Sequence, residues 1–196
     1  MHNGAMSEEK LYENLMSLSR GVDACLDDSL IGPALILIYS AIDTVGWLDS
    51  GRTFATRNSL INWTEQYLLT AKRLSCTAMD LYAARCGLLH TFTPNSQLSS
   101  DQKARRICYA WGESRAEDLQ RTIDLARNGN EYVAVKVEEL FAAWCDGVLA
   151  FTTELESDAE RDERVVTKAR NFFSQMGTES VTELLAAVDQ QPPSGK

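Results

Sequence analysis

The sequence predicts an all-α protein, an up-and-down helical bundle of about five to seven helices with room for a small two-stranded β element. Three observations lead there. Apolar residues recur at three- and four-residue spacing along most of the chain, the run from Ala34 to Ile42 is apolar nearly all round, and two short stretches in the middle alternate. At 196 residues and 44% hydrophobic composition, the chain is long enough to bury a sizeable core as one domain.

The N-terminal part of the chain predicts two long helices. Ser7 followed by Glu8 and Glu9 is typical of a capped helix start, because acidic groups there favour the helix dipole. The apolar face of this first helix is formed by Leu11, Leu15, Leu18, Val22, Cys25 and Leu26. Gly32-Pro33 then opens a second helix, from Ala34 to about Leu48, whose composition indicates a central position.

Two further helices follow. The third carries Leu60, Trp63, Tyr67 and Leu68, and the fourth runs from about Ser75 to His90. The segment Thr93-Pro94-Asn95-Ser96 stops the fourth helix, because proline cannot continue one.

The middle of the chain predicts two short strands beside a helix from about Arg115 to Arg127. The alternating apolar residues are Ile107, Tyr109 and Trp111 in one strand, and Val133, Val135 and Val137 in the other. Two more helices are predicted from the apolar repeats Val137, Leu140, Phe141, Trp144, Val148, Phe151 and Leu155, and then Val165, Ala169, Phe172, Phe173 and Met176. We therefore expect a flexible N-terminus over residues 1–6, a single domain over 7–189 and a loose tail over 190–196.

Charge and cysteine usage limit the classes of function. The net charge is −9, and residues 131–196 hold 13 acidic against 6 basic residues. This argues against a protein whose whole surface binds nucleic acid. The five cysteines lack a C-x-x-C pair, so neither a disulfide framework nor a zinc site is indicated. No run is long enough for a bilayer, and no leader is evident. We predict a soluble cytoplasmic protein that uses no metal, cofactor or membrane.

The most informative segment is Arg85-Cys86-Gly87-Leu88-Leu89-His90. Arg85 interrupts an apolar helical face, and a guanidinium cannot lose its proton, so it needs an anionic partner, several acceptors or an open cleft. Two interpretations stay open, a structural arginine paired with a carboxylate and an anion-binding site. Asp43 is the leading carboxylate because it directly follows the apolar run of the second helix, close to Tyr39.

An Arg-x4-His motif at the end of a bundle helix, preceded by Ala-Leu-Ile-Leu-Ile-Tyr-Ser-Ala-Ile-Asp, resembles the HEPN (higher eukaryotes and prokaryotes nucleotide-binding) superfamily. The resemblance covers roughly residues 7–94, and the helices after Val137 only in general character. It implies a dimerising helical bundle, and in many members a metal-independent endoribonuclease of toxin–antitoxin, phage-defence or RNA-processing systems. The partners it implies are a second copy of the chain, an RNA substrate, and an antitoxin or neighbouring-gene protein.

On this resemblance, His90 would carry proton transfer and Arg85 would hold the phosphate, with Asp43, Tyr39 and Cys86 in support. Basic residues flank the motif in sequence at Lys72, Arg73, Lys103, Arg105 and Arg106. Of these, Lys103, Arg105 and Arg106 are the candidates for contacts with RNA phosphates. Positions five apart on a helix point about 140° away from one another. We therefore expect the helix to loosen near Gly87, or His90 to lie in the turn before Pro94.

The sequence departs from the family pattern at two positions. Cys86 stands where a polar residue is common, and Phe92 stands where some toxin members present a tyrosine for modification. Two other functions therefore stay open. One is a non-catalytic helical dimer that acts as an interaction module, and the other is a nucleotide or small-ligand sensor in the bundle cleft.

Overall fold

The computed structural model describes residues 2–71 and 74–170 and the single positions 172, 181, 182 and 186. Within them the chain is mostly helical and carries one small two-stranded sheet, as the sequence predicted. The predicted loose tail at 190–196 lies outside the described residues, as do Lys72, Arg73, Phe173 and Met176.

Helix α2 (Ile31–Asp49) is the central element of the bundle, as its composition predicted. Helix α1 (His2–Asp27) packs along it, and α2 also contacts most of the later helices. Its buried residues include Ile38, Ile42 and Val45. Helix α1 begins at His2, so Ser7 lies inside it and is not its cap. The flexibility of residues 1–6 stays a prediction.

By length and composition alone, α2 is also apolar enough to cross a membrane, although half of the tested window is buried inside the protein. The core helix of a soluble domain has the same properties. The cytoplasmic location stays a prediction.

The next helical segment changes its geometry along its length. Helix α3 (Arg57–Trp63) starts at Thr56, whose side chain forms a capping box with Ser59. It continues through a π-helical segment (Thr64–Leu68) into the short α4 (Leu69–Ala71). The π-helical segment packs against a later helix at Gly147, where an added Cβ would lie 3.2 Å from the Tyr67 backbone. The glycine therefore allows a close approach of the two backbones.

Helix α5 (Ala78–Thr91) carries the Arg-x4-His motif and starts three residues later than predicted. Thr77 caps it in a box with Asp80, and this spacing could have located the start from the sequence. The helix ends at Phe92, which adopts a left-handed conformation with φ 53°. A short helix, α6 (Gln97–Ser100), follows the turn.

The sheet is a βαβ unit. Strand β1 (Arg106–Ala110) pairs in parallel with β2 (Tyr132–Lys136), and α7 (Ala116–Leu125) forms the crossover between them. Both predicted strands extended one residue too far at their C-terminal ends. Trp111 lies beyond β1, and Val137 is the first residue of the next helix because β2 leads directly into it.

Two helices complete the described part of the bundle, α8 (Val137–Leu155) and α9 (Ala159–Ala169). Arg161 of α9 contacts Asp49 at 2.7 Å, the Tyr67 hydroxyl at 2.6 Å and Glu154 at 3.2 Å. This cluster ties α9 to α2, to the π-helical segment and to α8, so we read it as structural.

Candidate functional site

Arg85 and His90 meet at the last turn of α5. The Arg85 Nη1 and His90 Nε2 atoms lie 3.5 Å apart, at the long limit of a hydrogen bond, and His90 is exposed. The helix is regular through Thr91, so both predicted alternatives were wrong: the helix does not loosen near Gly87, and His90 lies within the helix and not in the turn before Pro94. The two side chains converge because the long arginine side chain extends along the helix and makes up for the difference in direction.

Asp43 anchors the arginine. Its Oδ2 atom accepts a hydrogen bond of 2.6 Å from Arg85 Nε, and the Asp43 and Arg85 side chains are only 18% and 24% exposed. The ion pair predicted between α2 and α5 is therefore present. Because the Asp43 carboxylate accepts its hydrogen bond from Nε, the terminal nitrogens Nη1 and Nη2 can donate to other groups. Asp43 thus fixes one side of the guanidinium, and the other side can bind a ligand.

Burial and pairing act in opposite directions on these two groups. Burial raises the pKa of the Asp43 carboxyl, and the attraction of Arg85 offsets this only in part. Burial lowers the pKa of Arg85, but Asp43 and, to a smaller extent, Cys86 together more than compensate, so the net shift is upward. Arg85 therefore carries its charge at every physiological pH. The free-energy cost of burying the ion pair appears in the raised pKa of the Asp43 carboxyl.

Cys86 lies beside Arg85 on α5, and its supporting role stays a prediction. It is half-buried, and its thiol is close enough to the Tyr82 hydroxyl and to the Arg85 guanidinium to affect both of their pKa values. Burial first, and then the Cys86 thiol, raises the pKa of Tyr82. The Tyr82 ring in turn lies 5.5 Å from the Arg57 guanidinium. Cys86 thus joins the arginine to a small polar and aromatic cluster on α3 and α5.

Tyr39 takes a different place. It is completely buried, and its hydroxyl is 2.5 Å from the hydroxyl of Tyr109 on β1. Burial raises the pKa of both tyrosines. Tyr39 therefore links α2 to the sheet, and its support of the motif is at most indirect.

Two of the basic residues proposed to contact RNA phosphates have protein partners. Arg105 donates two hydrogen bonds to Oδ2 of the buried Asp80, at 2.8 and 3.2 Å, and its backbone N–H donates to Oδ1 at 2.7 Å. Arg106 donates to Asn95 at 2.9 Å. The Lys103 side chain, by contrast, is 65% exposed, and its Nζ atom lies 3.4 Å from the neighbouring Asp101.

Sequence reasoning missed Asp80. As the N3 residue of α5, Asp80 completes the capping box with Thr77. It also forms a salt bridge with Arg105, which lies 25 residues further along the chain. The Thr-x-x-Asp spacing signals the cap, but nothing local signals the arginine.

Sequence reasoning also missed why the motif contains a glycine. A Cβ on Gly87 would lie 2.5 Å from the carbonyl oxygen of Thr93 and 2.7 Å from that of Asn95. The chain after the helix folds back onto Gly87, and the backbone N–H of Phe92 bonds to the carbonyls of Gly87 and Leu88. Gly87 thus fixes the turn that follows His90.

An apolar cleft opens beside this turn. It has a volume of about 230 Å³ and lies between the start of α2, the end of α5 and β1. Its lining is mainly hydrophobic: Gly32, Leu35, Ala84, Leu88, Phe92, Thr93, Pro94, Ile107 and Tyr109. Within the described residues, no group of three or more His, Cys, Asp or Glu side chains could hold a metal ion.

The arrangement combines a guanidinium charge that cannot be neutralised with an exposed imidazole, a side chain that can accept or donate a proton. Since arginine only donates, a hydrogen bond across the 3.5 Å contact requires a neutral His90 with its acceptor lone pair on Nε2 and its ring proton on Nδ1. A phosphate could displace this contact and take both arginine donors, while the imidazole exchanges a proton with a neighbouring oxygen.

Comparison of the chain with family models, curated proteins and solved structures found no match. The HEPN resemblance therefore stays a prediction, and function has to be argued from the site itself.

Proposed function

We propose that this chain is a HEPN-like, metal-independent endoribonuclease in which Arg85 binds the scissile phosphate and His90 transfers the proton. The observation that carries the proposal is the guanidinium of Arg85, which Asp43 holds at 2.6 Å and which lies 3.5 Å from the exposed imidazole of His90. A purely structural arginine would not need a histidine at its open side.

RNA supplies the nucleophile. His90 Nε2 accepts the proton of a 2′-hydroxyl, the 2′-oxygen forms a bond to phosphorus, and the bond from phosphorus to the 5′-oxygen breaks. The departing 5′-oxygen takes a proton, and the products carry a 2′,3′-cyclic phosphate and a 5′-hydroxyl. Arg85 stabilises the negative charge that builds up on the phosphate oxygens.

Each chain places one histidine, His90, at the motif, whereas the reaction needs both a proton acceptor and a proton donor. We infer a homodimer in which two motifs share a cleft, so that His90 of the second copy protonates the leaving oxygen. Two-fold pairing is the commonest form of soluble homo-oligomer. In sedimentation experiments, a monomer at micromolar concentration that still cleaves RNA would contradict the shared site.

The test is cleavage of mixed RNA in the presence of a chelator, with wild type, His90→Ala and His2→Ala. His2→Ala is the matched control because it removes the other histidine of the chain. We expect His90→Ala to lower the rate by roughly 10²–10⁴, as for loss of general acid–base catalysis, with His2→Ala unchanged. DNA of the same sequence should be intact, since it lacks the 2′-hydroxyl. Full activity in a folded His90→Ala protein would end the proposal.

A second candidate function is a non-catalytic interaction module. It is favoured by an apolar groove between α1 and α8, where Tyr12, Met16 and Leu149 are exposed. If no RNA is cleaved and His90→Ala changes nothing, this second function becomes the better account of the protein.

A further inference from the structure

Phe92 is an exposed aromatic residue held in a fixed position. It is 61% exposed, yet it adopts the left-handed conformation that residues other than glycine rarely take. Its backbone N–H is bonded to two carbonyls of α5, and its ring packs on Gly32, where an added Cβ would lie 2.6 Å from Phe92 Cζ. Phe92 therefore combines a left-handed backbone at the end of the helix with a largely exposed aromatic ring that contacts Gly32.

The cleft beside Phe92 is small and apolar. Leu35, Leu88, Pro94 and Ile107 contribute to its walls, and its volume is about 230 Å³. Sites for drug-sized ligands measure roughly 300–1,000 Å³. This cleft is therefore the right size for a single ring system and too small for a whole nucleotide.

The cleft lies next to the anion site along the same helix. Phe92 follows Arg85 by seven residues, which corresponds to about 10 Å along a helix axis. The Arg85 guanidinium contacts His90, which lies two residues before Phe92. An extended single strand that binds Arg85 through a phosphate could therefore also reach the Phe92 ring.

We propose that Phe92 and the adjoining cleft bind one nucleobase of single-stranded RNA, next to the phosphate held by Arg85. This inference rests on the proposed function and names the part of the substrate that the site recognises. Unpaired bases stack on exposed aromatic side chains in many RNA-binding sites, whereas paired bases present no free face. Single-stranded RNA and not duplex is therefore the substrate class.

The test separates binding from cleavage by using a short labelled oligonucleotide with 2′-O-methyl groups, which cannot be cut. Its affinity is measured for wild type, Phe92→Leu and Phe92→Tyr, each with an intact oligonucleotide and with one that lacks the base 3′ or 5′ of the central phosphate. Phe54→Leu is the matched control, because Phe54 is 79% exposed in the loop after α2.

We expect Phe92→Leu to weaken binding of the intact oligonucleotide by about 5- to 140-fold, which corresponds to ~1–3 kcal/mol per stacked base. Removing one of the two bases should weaken wild type by a similar factor and Phe92→Leu hardly at all. Phe92→Tyr and Phe54→Leu should bind like wild type.

The outcomes distinguish this inference from the proposed function. Base-dependent binding through Phe92 without any RNA cleavage would support the base site and overturn the nuclease. Cleavage that needs His90, with equal loss of affinity for both oligonucleotides in Phe92→Leu, would support the nuclease and overturn the base site. A change of oligomeric state in Phe92→Leu, with no effect on base recognition, would assign the ring to a protein contact and also overturn the base site.

Discussion

Replacing Asp43 by alanine tests how strongly the ion pair with Arg85 holds α2 to α5. Exposed ion pairs contribute about 0–1 kcal/mol, whereas removing one member of a buried pair costs about 3–5 kcal/mol. The Asp43 and Arg85 side chains are 18% and 24% exposed, so the pair lies between these limits. We expect Asp43→Ala to lower the free energy of unfolding by about 1–3 kcal/mol.

The measurement is urea unfolding followed by circular dichroism, together with thermal melting. For a domain of this size the expected loss corresponds to a melting temperature lower by about 2–12 °C. In an Arg85→Gln background the same change should cost under about 1 kcal/mol, because no unpaired guanidinium is left half-buried. Asp101→Ala is the control, since Asp101 pairs with the mostly exposed Lys103 and should change stability by less than about 0.5 kcal/mol.

The reasoning fails if Asp43→Ala costs the same in both backgrounds. It also fails if the single variant is as stable as wild type. Either result would mean that the contact seen at 2.6 Å does not couple the two helices.

Two further predictions concern the pH dependence of stability at Asp43 and the packing of Gly87 against the turn after α5. Burial raises the pKa of Asp43, and a pKa that is raised on folding adds stability below the unfolded value and loses it as pH rises through the folded value. The free energy of unfolding of wild type, relative to that of Asp43→Asn, should therefore increase as the pH falls from about 7 to about 4. The measurement is urea unfolding at both pH values, and an equal difference between the two proteins at both would contradict this. Gly87→Ala should cost about 1–3 kcal/mol in the same assay, because the new Cβ would lie 2.5 Å from the Thr93 carbonyl. Gly51→Ala, where nothing lies within 4 Å, should be nearly neutral, and equal effects of the two changes would refute the packing argument.

The sequence alone predicted most of the helices and one long-range contact. Helices are readable because their apolar spacing is local and because the buried faces here are strongly patterned. The pair of Asp43 and Arg85 was predictable for a different reason. An arginine on a core-facing stripe keeps its charge, so a carboxylate on another buried helix is the partner that electrostatics demands.

Only the tertiary structure decided which polar groups are already used. From the sequence, Arg105 is a candidate for binding a phosphate. In the structure its guanidinium donates two hydrogen bonds to Asp80. Tyr39 is close to Asp43 in sequence, but its hydroxyl forms a hydrogen bond with the hydroxyl of Tyr109. The direction of the sheet was equally hidden, because parallel pairing of β1 and β2 depends on how α7 crosses between them.

The surroundings of the motif show the same division. The sequence placed Arg85 and His90 on one helix, but their meeting depends on the path of a long, flexible side chain. The approach of Phe92 to Gly32, and of the following turn to Gly87, brings together residues whose local patterns do not refer to each other. Local spacing determined the elements, whereas packing between elements determined which donors and rings stay available for a ligand. That choice depends on close packing in three dimensions, which periodicity along the chain does not encode.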